Sequence, residues 1–271
     1  MNIIGIAGRR EDGSSAGAGK DEVAKVLAAK HGYVIVSFAD PIKRIAMDLY
    51  QFSFEQLWGS KKEEPDPRYP REHGPFVKQH VGAEAAQAAG WSGSDIYVCA
   101  CCGAEADEDW QSRDLFMPKD TPPCFLTPRW ACRAIGTEMG RMLYPDTWVD
   151  YAIRVAKSVL DGCAYHPIGG VGVTVAGYKG VVIPDVRWPA GNEGEAIKKN
   201  GGRLWLVERP GTAQTGTAVA KHASETQPIP DEVFDRFIQN DCSLAALESA
   251  VGSAIAIENG WKAFPEKEEK S

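Results

Sequence analysis

With 271 residues, 44% of them hydrophobic and 25% charged, the chain has the makeup of a globular protein able to bury a large core. Thirty basic side chains against 37 acidic ones leave a net charge of −7, which argues against a protein that coats nucleic acid but allows a local basic pocket for a small anion. The first apolar run, Ile3 to Ala7 broken at Gly5, is too short for a signal peptide or a membrane span, and seven cysteines without a secretory signal point to reduced thiols in the cytosol.

Residues 2–7 predict a buried parallel strand, and 21–31 an amphipathic helix with Val23, Val26 and Leu27 on one face. Tyr33 to Phe38 predicts a second strand, and Asp40-Pro41 opens a helix whose apolar face is Ile42, Ile45, Ala46 and Leu49. From Gly59 to about Pro75 charges and prolines predict a surface loop. Residues 76–125 lack clear periodicity, so about 60–125 is expected to form a variable inserted lobe on one single domain spanning 1–271. A helical pattern returns at Pro128, a second helix is expected from Thr147 to Leu160, and 163–178 is expected to be a hairpin or a glycine-rich connection. Gly180 to Pro184 predicts a strand ending at Asp185, followed by a helix over Glu193 to Asn200, a strand over Arg203 to Val207 and a polar, lid-like segment over 209–232. A short strand from Arg236, a helix over Ser243 to Ile257 and a solvated tail complete the pattern. Strands alternating with helices predict an α/β fold built on a doubly wound parallel sheet.

The chemistry starts in the first connection. A β-branched run, then glycines, then Gly19-Lys20 opening a helix encodes a phosphate cradle: backbone N–H groups converge on phosphate oxygens, the lysine adds charge and the helix N-terminus adds its dipole. Ser14 stands where the common G-x-x-x-x-G-K spacing has its first glycine, and Asp21 stands where a hydroxyl usually holds Mg²⁺. Asp21 is either a magnesium ligand or a carboxylate favoured by the helix dipole. Asp185 and Arg187 follow an apolar strand at its carboxyl end, where open α/β sheets bind ligands; a surface ion pair is the other reading. Arg129, Arg133 and Arg141 fall on roughly one α-helical face, interrupted by Gly136-Thr137, which fits an anion site better than a solvated face paired with Glu138. Cys99, Cys101, Cys102 and Gly103 resemble half a zinc knuckle, with Cys124 as a third ligand and His73 and His80 the nearest histidines. No second C-x-x-C exists, so free thiols are the favoured reading. His222, Ser224 and Glu225 fit no positioned triad.

Several stretches together resemble the bacteriophage deoxynucleoside monophosphate kinases, a branch of the P-loop nucleotide kinases. They are IGIAG…AGAGKDEVA, SFADPIK (37–43), LWGSKKEEPDPRYP (57–70), RWACRAIGTEMGRMLYPDTWVD (129–150), VVIPDVRWPAGNEGEAIKKNGGRLWLVERPG (181–211), HASE (222–225) and IQNDCSLAAL (238–247). The resemblance implies transfer of the ATP γ-phosphate to a deoxynucleoside monophosphate (dNMP), with Mg²⁺, in the host cytoplasm. It implies that Gly17, Ala18, Gly19, Lys20 and Asp21 cradle ATP and that Lys43, Arg129 and Arg133 bind the acceptor phosphate. Gly136, Thr137, Trp148 and Asp185 would line the acceptor pocket, completed by Arg187 and Glu193, with Lys20, Asp185 and Arg187 as the catalytic set. Partners would be small nucleotides, neither nucleic acid nor membrane, and a homodimer stays open. A P-loop kinase of another phosphorylated small molecule or modified nucleotide, and a non-kinase nucleotide-binding module, are the competing readings. An arginine-lined second anion site favours a kinase.

Overall fold

Ile3–Arg10, β-branched and small residues ending in two arginines, forms the central strand of a five-stranded parallel sheet. The computed structural model describes residues 2–11, 17–74, 76–80, 87, 95–99, 101–102, 104–108, 115–116, 122–165, 178–187, 191–210, 230–241 and 243–261. In chain order the elements are β1 (Ile3–Arg10), α1 (Lys20–His31), β2 (Tyr33–Ile35), α2 (Asp40–Tyr50), α3 (Phe54–Leu57), a 3₁₀ turn (Lys61–Glu63), β3 (Asp66–Arg71), β4 (Phe76–His80) and β5 (Asp95–Cys99). They continue with β6 (Glu105–Glu108), β7 (Leu115–Phe116), β8 (Cys124–Leu126), α4 (Pro128–Arg133) running into π-helical turns (Ala134–Arg141), and α5 (Thr147–Leu160). The last are β9 (Gly180–Ile183), α6 (Asn192–Lys199), β10 (Arg203–Arg209), a 3₁₀ turn (Asp231–Val233), β11 (Arg236–Gln239) and α7 (Leu244–Trp261). The described residues fall into two compact units, one holding those up to Asp40 and from Asp146 on, the other those from Pro41 to Pro145.

The first unit is the parallel sheet, in the order β11-β10-β1-β9-β2. Its inner strands β9 and β10 carry continuous apolar runs because both faces are covered: all four residues of β9, and Leu204 to Val207 of β10, are buried. On one face Val23 and Leu27 of α1 and Val251 and Ile255 of α7 pack on Ile4, Ile6, Val182, Trp205 and Val207. On the other face α5 and α6 pack against the sheet. A Cβ on Gly5 would come within 2.5 Å of Ile197 Cδ1, so the missing side chain lets α6 approach β1. The chain crosses from one side of β1 (β2, β9) to the other (β10, β11), which makes the carboxyl end of β1 the topological switch point. The α/β, P-loop kinase-like architecture expected from the sequence is therefore present. No helix among the described residues is long and apolar enough to cross a membrane.

The first residue of β9 gives one stability test. A Cβ on Gly180 would lie 2.5 Å from the Asn2 carbonyl oxygen and 2.5 Å from Tyr33 Cε1, and the backbone atom cannot swing away. Gly180→Ala gains about 0.4–1 kcal/mol by restricting the unfolded chain, but overpacking costs about 1–3 kcal/mol. The variant is expected to unfold at lower urea than the parent; an equal or higher midpoint would refute this tight approach.

The second unit is antiparallel where it is β: β3 pairs with β8, and β4-β5-β6-β7 form a meandering sheet. The loop expected over 59–75 is corrected in part, since Asp66–Arg71 is a strand. Its prolines and charges hide the period-2 signal, and such residues belong on an edge strand; an irregularity between Asp66 and Pro70 accommodates them. Gln56 Nε2 and the Arg68 guanidinium donate to the Asp66 carboxylate, which holds that carboxyl well below its usual range. The second strand also stops earlier than expected, at Ile35, although the Val36 N–H still donates to Val182 O. Residues 166–177, 211–229 (with His222, Ser224 and Glu225) and the tail from 262 lie outside the described residues.

Candidate functional site

Within the first unit, the residues after the strands gather at the carboxyl edge of the sheet. Gly17 (φ 74°) and Gly19 (φ 99°) adopt left-handed backbone that favours glycine, and the Gly19 carbonyl accepts the Glu22 and Val23 N–H groups at 3.1 Å each as α1 begins. Asn240, just past β11, donates from Nδ2 to Ala18 O at 2.8 Å, and Arg209 at the end of β10 donates to Gly17 O at 3.3 Å. With its carbonyls held this way, the turn presents the start of α1. A Cβ on Gly19 would lie 2.1 Å from Asn240 Nδ2, so the close approach needs glycine twice over. Lys20 is the first residue of α1 and Asp21, exposed, the second. Ser14 lies outside the described residues.

Beside this turn stands an ion cluster that the sequence does not announce. Arg9, near the end of β1, donates to Glu208 Oε1 from Nε (3.1 Å) and Nη2 (2.6 Å), and to Asp231 from Nη1 (2.6 Å). Burial works against its charge, but the bonds to Asp231 and Glu208 outweigh it and raise its pKa. Gln239 Nε2 adds a bond to Glu208 Oε2 at 2.7 Å.

Asp185 is fully engaged by the loop after β2. Its carboxylate accepts from Ser37 Oγ (2.5 Å), the Phe38 N–H (3.1 Å) and the Ala39 N–H (3.0 Å). Asp40, buried at the start of α2, accepts from the Ser37 N–H (3.3 Å) and the Tyr165 hydroxyl (2.8 Å). Among the described residues Asp185 makes no ion pair with Arg187; the Arg187 side chain is exposed and its backbone N–H donates to Glu193 Oε2 at 2.6 Å. Glu193 is 1% exposed, so it orders the turn after β9 rather than facing solvent. Trp148 is buried on α5 with Val149 and Ala152. At the N-terminal end of α5, Asp146 accepts from Asn192 Nδ2 at 2.7 Å.

Within the second unit, cations gather on α2 and α4. Lys43 Nζ lies 4.8 Å from the centre of the Trp58 ring, which stacks on Phe54. Thr127 caps α4 by accepting the Trp130 N–H at 3.2 Å. Arg129 is exposed and paired with Glu63, and Arg133 is half-buried at the end of α4. Burial pushes the Cys132 thiol up, against the opposing pull of Lys43, Arg129 and Lys62. Gly136 is buried, with space for a Cβ only 3.0 Å from Ile42 Cδ1, so the helix backbone lies directly on α2; Thr137 is half-buried. From Ala134 to Arg141 the helix widens to π turns, which changes the phase between Arg133 and Arg141 from the α-helical one. Widened turns of this kind are frequent at functional sites.

The structure also gathers cysteines. His73, Cys99, Cys102 and Cys124 place one ligand atom each within 4.8 Å of one another. Burial pushes the Cys99 thiol up, but hydrogen bonds from the backbones of Cys102, Gly74 and Cys101 outweigh it and bring its pKa down to about 6.

No protein-family model matches the chain. Over 261 residues it is 25% identical to a protein of Acanthamoeba polyphaga mimivirus described as "Putative deoxynucleotide monophosphate kinase", covering 94% of this chain and 96% of that protein.

Proposed function

We propose that this protein is an ATP-dependent deoxynucleoside monophosphate kinase of the cytoplasm, converting ATP and a dNMP to ADP and a dNDP. The observation that carries the reading is the glycine-bracketed turn Gly17–Asp21 at the switch point of a parallel sheet. The full-length likeness to the viral protein supports the acceptor class.

In this reading the backbone N–H groups at the start of α1 and the Lys20 ammonium hold the triphosphate. A phosphate oxygen of the dNMP, already anionic, attacks the γ-phosphorus as the bond to the β,γ-bridging oxygen breaks and ADP leaves. No covalent enzyme intermediate and no general base are required. Lys43, Arg129 and Arg133 take the acceptor phosphate, and the exposed Arg187 neutralises charge on the transferring group. Gly136 and Thr137, at the widened turns, contact the acceptor. Asp185 and Glu193 act as positioning residues for the loops that carry Ser37 to Asp40 and Arg187. Trp148 supports the acceptor pocket from the core. Magnesium fits the exposed Asp21 carboxylate together with phosphate oxygens, both hard oxygen ligands, and when bound it offsets phosphate charge.

A coupled ADP-release assay with ATP, Mg²⁺ and each of the four dNMPs tests the activity. ADP release that depends on one or more dNMPs is expected, and equal release with and without acceptor would overturn it. Arg133→Ala is expected to raise KM for the dNMP about ten- to a hundredfold, as loss of a charged hydrogen bond does, with KM for ATP little changed. An equal rise in both would remove Arg133 from the acceptor site.

A further inference from the structure

Cys99 and Cys124, on two different β-strands of the second unit, are both buried, and they meet two further ligand-bearing residues, His73 and Cys102.

We propose that His73 Nδ1 and the thiolates of Cys99, Cys102 and Cys124 bind one structural zinc ion. Cys99 and Cys102 flank the turn between β5 and β6, Cys124 opens β8, and His73 sits between β3 and β4. Three separate stretches of chain thus converge on one point. The Cys99 and Cys124 sulfurs are 4.0 Å apart, and Cys102 Sγ is 3.4 Å from His73 Nδ1. Zn–S and Zn–N bonds of about 2.3 and 2.0–2.1 Å in a tetrahedron put ligand atoms about 3.5–3.8 Å apart. All four atoms, already within 4.8 Å of one another, reach that geometry by shifts of less than an ångström. A disulfide would need the sulfurs at about 2.05 Å.

The surroundings suit the metal. The Gly74 N–H donates to Cys99 Sγ at 3.1 Å, and Gly74 can turn it there because its φ is 113°. Cys101, the cysteine between the two knuckle ligands, is engaged elsewhere: its thiol donates to Phe125 O at 3.1 Å. Cys102 is exposed, which gives the ion a way in. Four protein ligands close the coordination sphere, so the ion ties strands together and activates no water. Binding displaces the thiol protons, leaving three thiolates and a neutral imidazole on Zn²⁺ with a net charge of −1.

The whole chain, produced without a histidine tag and never exposed to chelator, is expected to carry about one zinc ion per chain by elemental analysis. Cys124→Ser and His73→Asn should each lose most of it, whereas Cys101→Ser and Cys163→Ser should keep it. To separate metal loss from misfolding, the parent is stripped with a chelator and reloaded with Co²⁺. Intense thiolate-to-cobalt charge-transfer and tetrahedral visible bands, displaced by stoichiometric Zn²⁺, are expected. Zinc well below stoichiometry after reloading, octahedral cobalt spectra, or iron as the bound metal would overturn the proposal. This outcome is independent of kinase activity, which is assayed separately.

Discussion

Replacing Lys20 by alanine is expected to lower turnover by about a hundredfold or more, the usual scale for losing one preorganised electrostatic contact to a transferring group. The fold should survive, because Lys20 stands at the exposed start of α1, whose core contacts come from Val23, Ala24, Val26 and Leu27. In the proposed reaction charge on the γ-phosphoryl oxygens is redistributed as the bond to the bridging oxygen breaks, and Lys20 is assigned to that charge rather than to the base or sugar. The loss should therefore appear in kcat at saturating ATP and dNMP, with the melting temperature near the parent value. Lys20→Arg keeps the charge but changes its shape and reach, and should recover only part of the rate. Near-normal turnover in folded Lys20→Ala would show that this turn does not hold the reacting phosphates.

What could be read from the sequence is the part written in short-range pattern. The GVVI run of β9 and the 3.6-residue spacing of Thr147–Leu160 fix their elements closely, because burial on both faces of a parallel strand and on one face of a helix leaves a local signature. The turn at Gly19-Lys20 was legible for the same reason: glycines, cation and helix start are contiguous. The strand Asp66–Arg71 was not, since its pairing with β8 depends on residues more than fifty positions away and its prolines suppress the alternation. The π turns after Ala134 were equally hidden, because the residues there satisfy an α-helical pattern.

The same distinction governs the side-chain clusters. Asn240 and Arg209 hold the carbonyls of the Gly17–Gly19 turn from more than 190 residues away, and nothing in their neighbourhoods announces it. His73 lies far from the C-x-x-C pair in sequence, so the cysteines looked like three ligands short of a fourth. Local motifs name a chemistry; the fold supplies the partners that complete it.

Asp185→Asn carries the last large effect, and the structure changes what it should do. An aspartate at the end of a strand facing a phosphate turn invites a substitution that keeps shape and removes charge, with stability untouched. Yet both carboxylate oxygens accept hydrogen bonds, from Ser37 Oγ, the Phe38 N–H and the Ala39 N–H. An asparagine offers one oxygen and an NH₂ group, and that NH₂ must face at least one of these donors. An unsatisfied donor costs about 1–3 kcal/mol, and each kcal/mol lowers the melting temperature by about 2–4 °C in a chain of this size. The loop from Ser37 to Asp40 then loses its anchor. In the proposed function this loop helps position substrate, and misplacing such a segment by an ångström costs roughly a hundredfold in rate, so kcat/KM should fall along with the melting temperature. Ser37→Ala removes one donor but leaves both backbone bonds, and should cost only about 0.5–1.5 kcal/mol with most activity kept. A fall in activity with an unchanged melting curve in Asp185→Asn would instead make its charge, not its anchoring of the loop, the essential property.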